Sequence, residues 1–372
     1  MKKRYSLLIL LTLALFQSAH AQVFIGGTDY GSIYTPPASG TINAGGSDAV
    51  LVIGDSRLED MVGWRITTTG NGRPGIYVRA SEGNAVFSGS KLSVETSGGS
   101  ANGAYAYGTD STISLASSTI RTINSSAHGI YIQGGVVTAT ASEFILEHSS
   151  AVLVYAAGGT ATLTNVTATT IGSRNVLNAA SSINILNINN SNLSGNLLTN
   201  SNSQNTVHLS STSILTGKST RNSTSRLDVN IDATSQWIVN DISTLTDLDV
   251  IGTLTLNISD ANLSETLLTL NSLNFQYNNT LELSASLDIL VAGSIFKLID
   301  YDSWLGAVDS VFFNDMDITA IGYGEFEWNG IQLVLGDNGG LVTLEVIPEP
   351  GTWALLLGGV GVLGYLQRRR KV

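Results

Sequence analysis

Four hexapeptides in this chain open alike: GIYVRA at 75–80, GAYAYG at 103–108, GIYIQG at 129–134 and AVLVYA at 151–156, with starts 28, 26 and 22 residues apart. Each is followed by two more short runs in which apolar and polar residues alternate, as at 136–141 then 144–146. Alternation of period two marks a strand with one face buried. Three such strands in each repeat make one coil of a solenoid, in which every repeat stacks only on its neighbours. Looser copies continue at 182–193, 206–215, 227–231 and 248–258. A propeller blade would need four strands in ~40 or more residues, and leucine-rich repeats need their Leu/Asn consensus. The expected fold is therefore all-β: a parallel β-helix over 22–259, right-handed as parallel crossovers are. About nine coils at ~4.8 Å spacing give a rod on the order of 40 Å long.

The alternation also assigns sides. If the second and fourth positions of each hexapeptide point inward, the interior receives Ile76 and Val78, Ala104 and Ala106, Ile130 and Ile132, Val152 and Val154. The third position then points outward as Tyr77, Tyr105, Tyr131 and Leu153, and the fifth as Arg79, Tyr107, Gln133 and Tyr155. Tyr77, Tyr105, Tyr107, Tyr131 and Tyr155 would line one outer face. Rings edged by hydroxyls can stack on sugars, which makes this face the candidate for contact with exopolysaccharide. The plainer reading is a ladder that only stiffens the sheet by cross-strand stacking.

Charge divides the chain. Residues 22–227 carry ten acidic and ten basic residues, whereas 228–349 carry nineteen acidic residues against the single Lys297. The break separates the solenoid from an acidic β cap expected at 260–345, which would finish the rod and cover its open edge. An acidic surface excludes nucleic acid as a partner, since phosphate recognition needs positive charge. The chain has no cysteine, so neither disulfides nor thiolate metal sites are available.

Residues suited to catalysis are sparse. His128, His148 and His208 are far apart in sequence, and Glu143 and Glu147 are the solenoid carboxylates that share a strand face. A glycosidase needs two carboxylates across one cleft, and no column of acids is apparent beside Arg121 or Arg174. Asp300 with Asp302, and Asn314 with Asp315 and Asp317, offer oxygen ligands of the kind calcium accepts. A solvated acidic surface accounts for them more simply. The expectation is a non-enzymatic protein without cofactor or bound metal; the alternative is a β-helical polysaccharide lyase or glycosidase.

Both ends carry addresses. Lys2, Lys3 and Arg4 precede an apolar run at 7–16, and Ala19-His20-Ala21 supplies small residues for cleavage after Ala21. That is the pattern of a secretory signal peptide over 1–21, read by the secretion machinery and signal peptidase. At the other end, 346–372 reads VIPEPGTWALLLGGVGVLGYLQRRRKV. As a helix the uncharged run 353–366 would rise about 21 Å, short of a ~30 Å hydrocarbon core, which the flanking residues and snorkelling arginines help to complete. The basic cluster Arg368, Arg369, Arg370 and Lys371 would stay cytoplasmic and leave the rest of the chain outside.

Pro348-Glu349-Pro350, the apolar span and the arginine cluster, in this order, resemble the PEP-CTERM sorting signal of Gram-negative bacteria. The resemblance covers 346–372 and implies an exosortase-type partner that removes the membrane anchor, with delivery to the cell surface or beyond it. The stretch 191–258, with SNLSGNLLTNSNSQNTVHLSSTSIL and SQWIVN, resembles the β-helical passenger domains of autotransporters, matched at Trp237 and Val239. Autotransporters end in a β-barrel, for which this chain leaves no room. The overall expectation is an exported structural or adhesive protein of the cell surface or extracellular matrix.

The surface form is expected to lack 1–21 and, in a host with an exosortase, everything after about Pro350. Intact-mass measurement checks this, and a C-terminus still at Val372 in such a host would contradict it.

Overall fold

The chain is a parallel β-solenoid of about ten turns with almost no helix; the computed structural model describes residues 23–25, 32–81, 83–170 and 175–348. The signal segment with Ala21, Arg174, Glu349, Pro350, the apolar span and the basic tail lie outside the described residues. Three faces run along the rod. The first is a nine-stranded sheet from Val23–Ile25 to Ser219–Arg221, and the second a 16-stranded sheet starting at Ser32–Tyr34. The third is built from a six-stranded sheet, Gly40–Ala44 to Thr167–Thr170, followed by a seven-stranded one from Asn192–Ser194 to Met316–Asp317.

The alternating pattern sets the register. Ile76, Ala104 and Ile130 lie side by side, as do Val78, Ala106 and Ile132, and all six are fully buried. Across the second face an interior column runs from Leu58 through Phe87, Ile113 and Val137. It continues to Leu248 and Leu273 and ends at Trp304. Each coil covers the apolar side chains of the one before it, so burial accumulates along the axis at ~25 cal/mol per Å².

Corners break the ladder and leave N–H groups to be satisfied. Between the second and third faces one solution recurs. The backbone N–H of Leu92 donates to Ser118 Oγ on the next coil at 3.1 Å, and that of Ser118 to Ser142 Oγ at 3.2 Å. Further along, Val166 N–H donates to Ser191 Oγ, Ser191 N–H to Ser213 Oγ, and Ser213 N–H to Ser235 Oγ, at 2.9, 3.3 and 3.1 Å. All five serines are buried. The residue before each of these donors, Lys91, Ser117, Asn165, Asn190 and Thr212, sits in the left-handed region with φ between 46° and 66°. That costs about 1–2 kcal/mol for a residue with a Cβ, and the inter-coil hydrogen bond offsets it. Within the core, Asn184 Nδ2 donates to Asn205 Oδ1 at 2.8 Å, and Asn205 Nδ2 to the Arg226 carbonyl at 2.8 Å. Stacked asparagines thus replace apolar contacts where a backbone carbonyl or amide needs a partner.

Parallel pairing does not stop at 259, where the sequence places the end of the solenoid. Thr253–Ile258 pairs with Thr280–Ala285, and Leu268–Phe275 pairs with Ile295–Gly306, both in parallel. Among the strands of the described residues, direction reverses only in the cap. The first half of Ile295–Gly306 is crossed antiparallel by Leu341–Val346, up to Asp300↔Leu341; Ile331–Asp337 and Gly324–Trp328 follow. The break in charge at 228 therefore falls within the rod, because charge is a property of the exposed columns and pairing follows the buried ones.

Ser213→Ala removes the acceptor for the buried Ser191 N–H and is expected to cost about 1–3 kcal/mol in denaturant unfolding. Ile132→Asp places an unpaired charge in the core and should cost several kcal/mol, whereas Gln133→Asp on the outer side costs little. Equal tolerance of the two aspartates would contradict the register.

Candidate functional site

The tyrosine face is positioned by backbone pairing. Tyr77, Tyr105, Tyr131 and Tyr155 are consecutive register partners on the first sheet, with Leu51 before them and Asn178 after. One expectation needs correction. Tyr155 stands in the third column and not the fifth, because Val154, rather than Val152, aligns with Ile130. Leu153, expected outside, is buried. The turn before this strand keeps the form of its predecessors, with Ala151 N–H donating to the His148 carbonyl as Ala127 does to Asn124 and Ala101 to Gly98. Ala151 is thus the counterpart of Ala127, and the apolar run starts two residues ahead of the hexapeptide frame. Tyr107 remains beside Arg79, whose guanidinium carbon lies 5.5 Å from its ring centroid.

Ring geometry defines what the face can do. Tyr77 and Tyr105 stack at 4.8 Å and 12°, and Tyr105 and Tyr131 at 4.5 Å and 15°. Tyr155 meets Tyr131 edge-on at 5.0 Å and stacks on His128 at 4.7 Å. Along the column the ring faces are covered by neighbouring rings, and what remains outward is a row of edges and hydroxyls. Tyr105 Oη donates to Gln133 Oε1 at 2.7 Å, and burial raises the hydroxyl pKa of Tyr77, Tyr105 and Tyr131. The rings stay neutral and hold adjacent coils together, worth about 0.5–1.5 kcal/mol per pair.

His128 belongs to the same assembly. Its Nδ1 accepts the Val152 N–H at 3.3 Å, and burial pushes its pKa down to about 4. It is a neutral acceptor that binds one coil to the next. His148 Nδ1 sits 2.9 Å from Ser150 Oγ at the surface, and His208 lies on a different sheet, within Ser203–Ser210. The three histidines are not brought together.

Charged residues of the rod pair between coils. Contrary to expectation, Arg121 does have acids on both sides: it reaches Glu147 at 2.6 Å and Glu95 at 3.1 Å, each 26 residues away. Arg226 pairs with Asp228 on its own strand and with Asp247 on the next coil, and Lys218 contacts Asp241 at 2.7 Å. Glu143 is exposed at the start of its strand and has no part in the Arg121 triad. In the cap, Asn314 exchanges two hydrogen bonds with the Ala285 backbone, and Asp317 accepts the Thr319 N–H, so these oxygens already serve the fold. Asp300 and Asp302 are exposed. Among the described residues no three His, Asp or Glu side chains gather as metal ligands.

Sequence reasoning missed a cavity at the end of the rod. An open cavity of about 340 Å³ is lined by Tyr301, Trp304, Val311, Tyr323, Leu335 and Asp337, among others. Only the register of the last coil, not any local motif, would have located it.

The tail was recognised by comparison as well as by its residues. Residues 346–371 match the PEP-CTERM protein-sorting motif. The chain carries that sorting signal, and with it the status of an exported protein sorted to the cell surface by an exosortase. Pro348 follows the last cap strand, Leu341–Val346, by two residues. No curated protein matches the chain. Among the described residues no helix is long and apolar enough to cross a membrane; the apolar span lies beyond them.

A folded-state pKa of about 4 for His128, below its unfolded value of 6.5, has a definite sign. Above pH 6.5 the residue contributes no pH dependence. As pH falls from 6.5 towards 4 the unfolded chain takes up the proton first, and stability drops by about 2–3 kcal/mol over that window. His128→Gln is expected to flatten the unfolding free energy there relative to the parent; an unchanged pH profile would contradict the assignment.

Proposed function

We propose that this exported protein is a non-enzymatic structural or adhesive component of the cell surface or extracellular matrix, held at first by its C-terminal span and released or fixed by processing at Pro348-Glu349-Pro350. The supporting observation is the use to which the rod puts its reactive side chains. Arg121 is held between two carboxylates, His128 between a backbone amide and a tyrosine ring, and the stacked tyrosines between each other. Each of these contacts runs from coil to coil, so the groups that catalysis would use serve the rod's length and stiffness. A uniform rod with a sorting signal at one end suits a spacer or scaffold, and its row of hydroxyl edges is a weak, repeated contact surface for matrix polysaccharide. Against the polysaccharide-active alternative, Arg121, the arginine flanked by acids, already donates through Nε, Nη1 and Nη2 to Glu95 and Glu147.

Deleting the protein from its host should weaken cohesion of the surface layer and leave polysaccharide degradation unchanged; loss of a degrading activity would overturn the reading. Changing Tyr105, Tyr107 and Tyr131 together to Ser separates scaffold from adhesion. The expected outcome is a lower melting temperature with unchanged retention on isolated matrix polysaccharide. Lost retention at temperatures where the rod is still folded would assign glycan contact to this face.

A further inference from the structure

Two interior columns of the second face end in aromatic residues. Trp304 is the register partner of Leu273 and Tyr301 that of Leu270, and both partners are buried core residues. Trp304 packs on the buried Phe275 with centroids 5.2 Å apart. The antiparallel cap pairs the last coil only as far as Asp300. Among the described residues no strand covers Trp304 from the far side, and the segment around Thr319–Tyr323 leans over it instead. The core therefore opens at its end into the cavity of about 340 Å³, within the size range of small-molecule sites.

Three rings and one carboxylate surround that opening. The planes of Tyr301 and Tyr323 stand at 69° and 73° to that of Trp304, with centroids 5.1 and 6.4 Å away. Tyr301 Oη donates to both oxygens of Asp337 at 2.9 Å, and Gly339 N–H donates to Asp337 Oδ1 at 2.9 Å. These bonds fix the carboxylate at the cavity's rim. The charge of Asp337 has no cationic partner among the lining residues, and the whole of 228–348 contains one basic residue, Lys297, whose Nζ donates to the Ser264 carbonyl. The Thr319 hydroxyl is already engaged with the Val311 backbone. The lining thus offers π faces and negative charge, and few of the donors that a sugar's ring and hydroxyl oxygens require. Rings set at steep angles around a space next to an anion match a compact cation with an apolar envelope, which ring quadrupoles attract.

We propose that this cavity is a binding site for a methylated ammonium group, with Trp304, Tyr301 and Tyr323 as its aromatic walls and Asp337 as its counter-charge. The site stands independently of the scaffold role, since it needs neither the tyrosine ladder nor the sorting tail.

The test is calorimetric titration of the full chain with choline chloride, against sodium chloride as the ionic control and 3,3-dimethylbutanol as the uncharged isostere. Choline is expected to saturate one site at millimolar concentration, with the isostere at least about tenfold weaker. Asp337→Asn, which keeps the acceptor for Gly339, and Tyr323→Leu, at a residue 46 % exposed, should each weaken choline several-fold while the melting curve stays that of the parent. Equal binding of choline and its isostere would overturn the proposal in favour of a merely apolar cavity. Binding of methyl glucoside in place of choline would overturn it in favour of a sugar platform. Failure of choline to bind, or its indifference to both folded variants, would overturn it outright.

Discussion

Hydrogen bonds that run along the axis, from each coil to the next, are what the rest of this structure depends on. In the sheets they are ordinary parallel ladders. At the corner between the second and third faces the ladder would fail, and buried serine hydroxyls take over from Ser118 to Ser235. An unpaired amide at each corner would cost about 1–3 kcal/mol, and a defect repeated at every coil would exceed the few kcal/mol by which a folded chain is stable. The left-handed residue before each of these turns is the local strain that this arrangement tolerates.

Much of the fold is legible in the sequence because the period-two pattern is read twice, once along each strand and once between coils. Ile76, Ala104 and Ile130 align in the structure as in the hexapeptides. The slide at Tyr155 shows the limit of that reading. Ala151, Val152, Leu153 and Val154 are all buried, so the run carries no alternation to fix the register. Tyrosine identity was the better guide there, since Tyr155 follows Tyr131 in its column. The acids beside Arg121 were hidden for a related reason: Glu95 and Glu147 are each 26 residues away, close only once the coil length is known.

Of the candidate sites, the tyrosine face was visible from sequence and the terminal cavity was not. Repetition makes a column conspicuous, and the same repetition covers its ring faces, since rings about one coil spacing apart stack on each other. Trp304 and Tyr301 follow the buried Leu273 and Leu270 in their columns, and their difference lies in having, among the described residues, no coil beyond them. In a solenoid the end is where side chains that would be core become available. The acidic balance after residue 228 then acts on that opening through Asp337.

Because the ladders lie parallel to the rod, tension between its two ends would load each coil's hydrogen bonds lengthwise, one interface after another, instead of shearing all of them together. A coil released from the end frees some 25 residues, or roughly 80–90 Å of extended chain at ~3.3–3.6 Å per residue, in exchange for ~4.8 Å of rod. A rod pulled from its ends would lengthen coil by coil. The antiparallel cap, which pairs with the last coil and leads in sequence into the sorting signal, sits where such peeling would begin and turns the first step into a sliding of opposed strands.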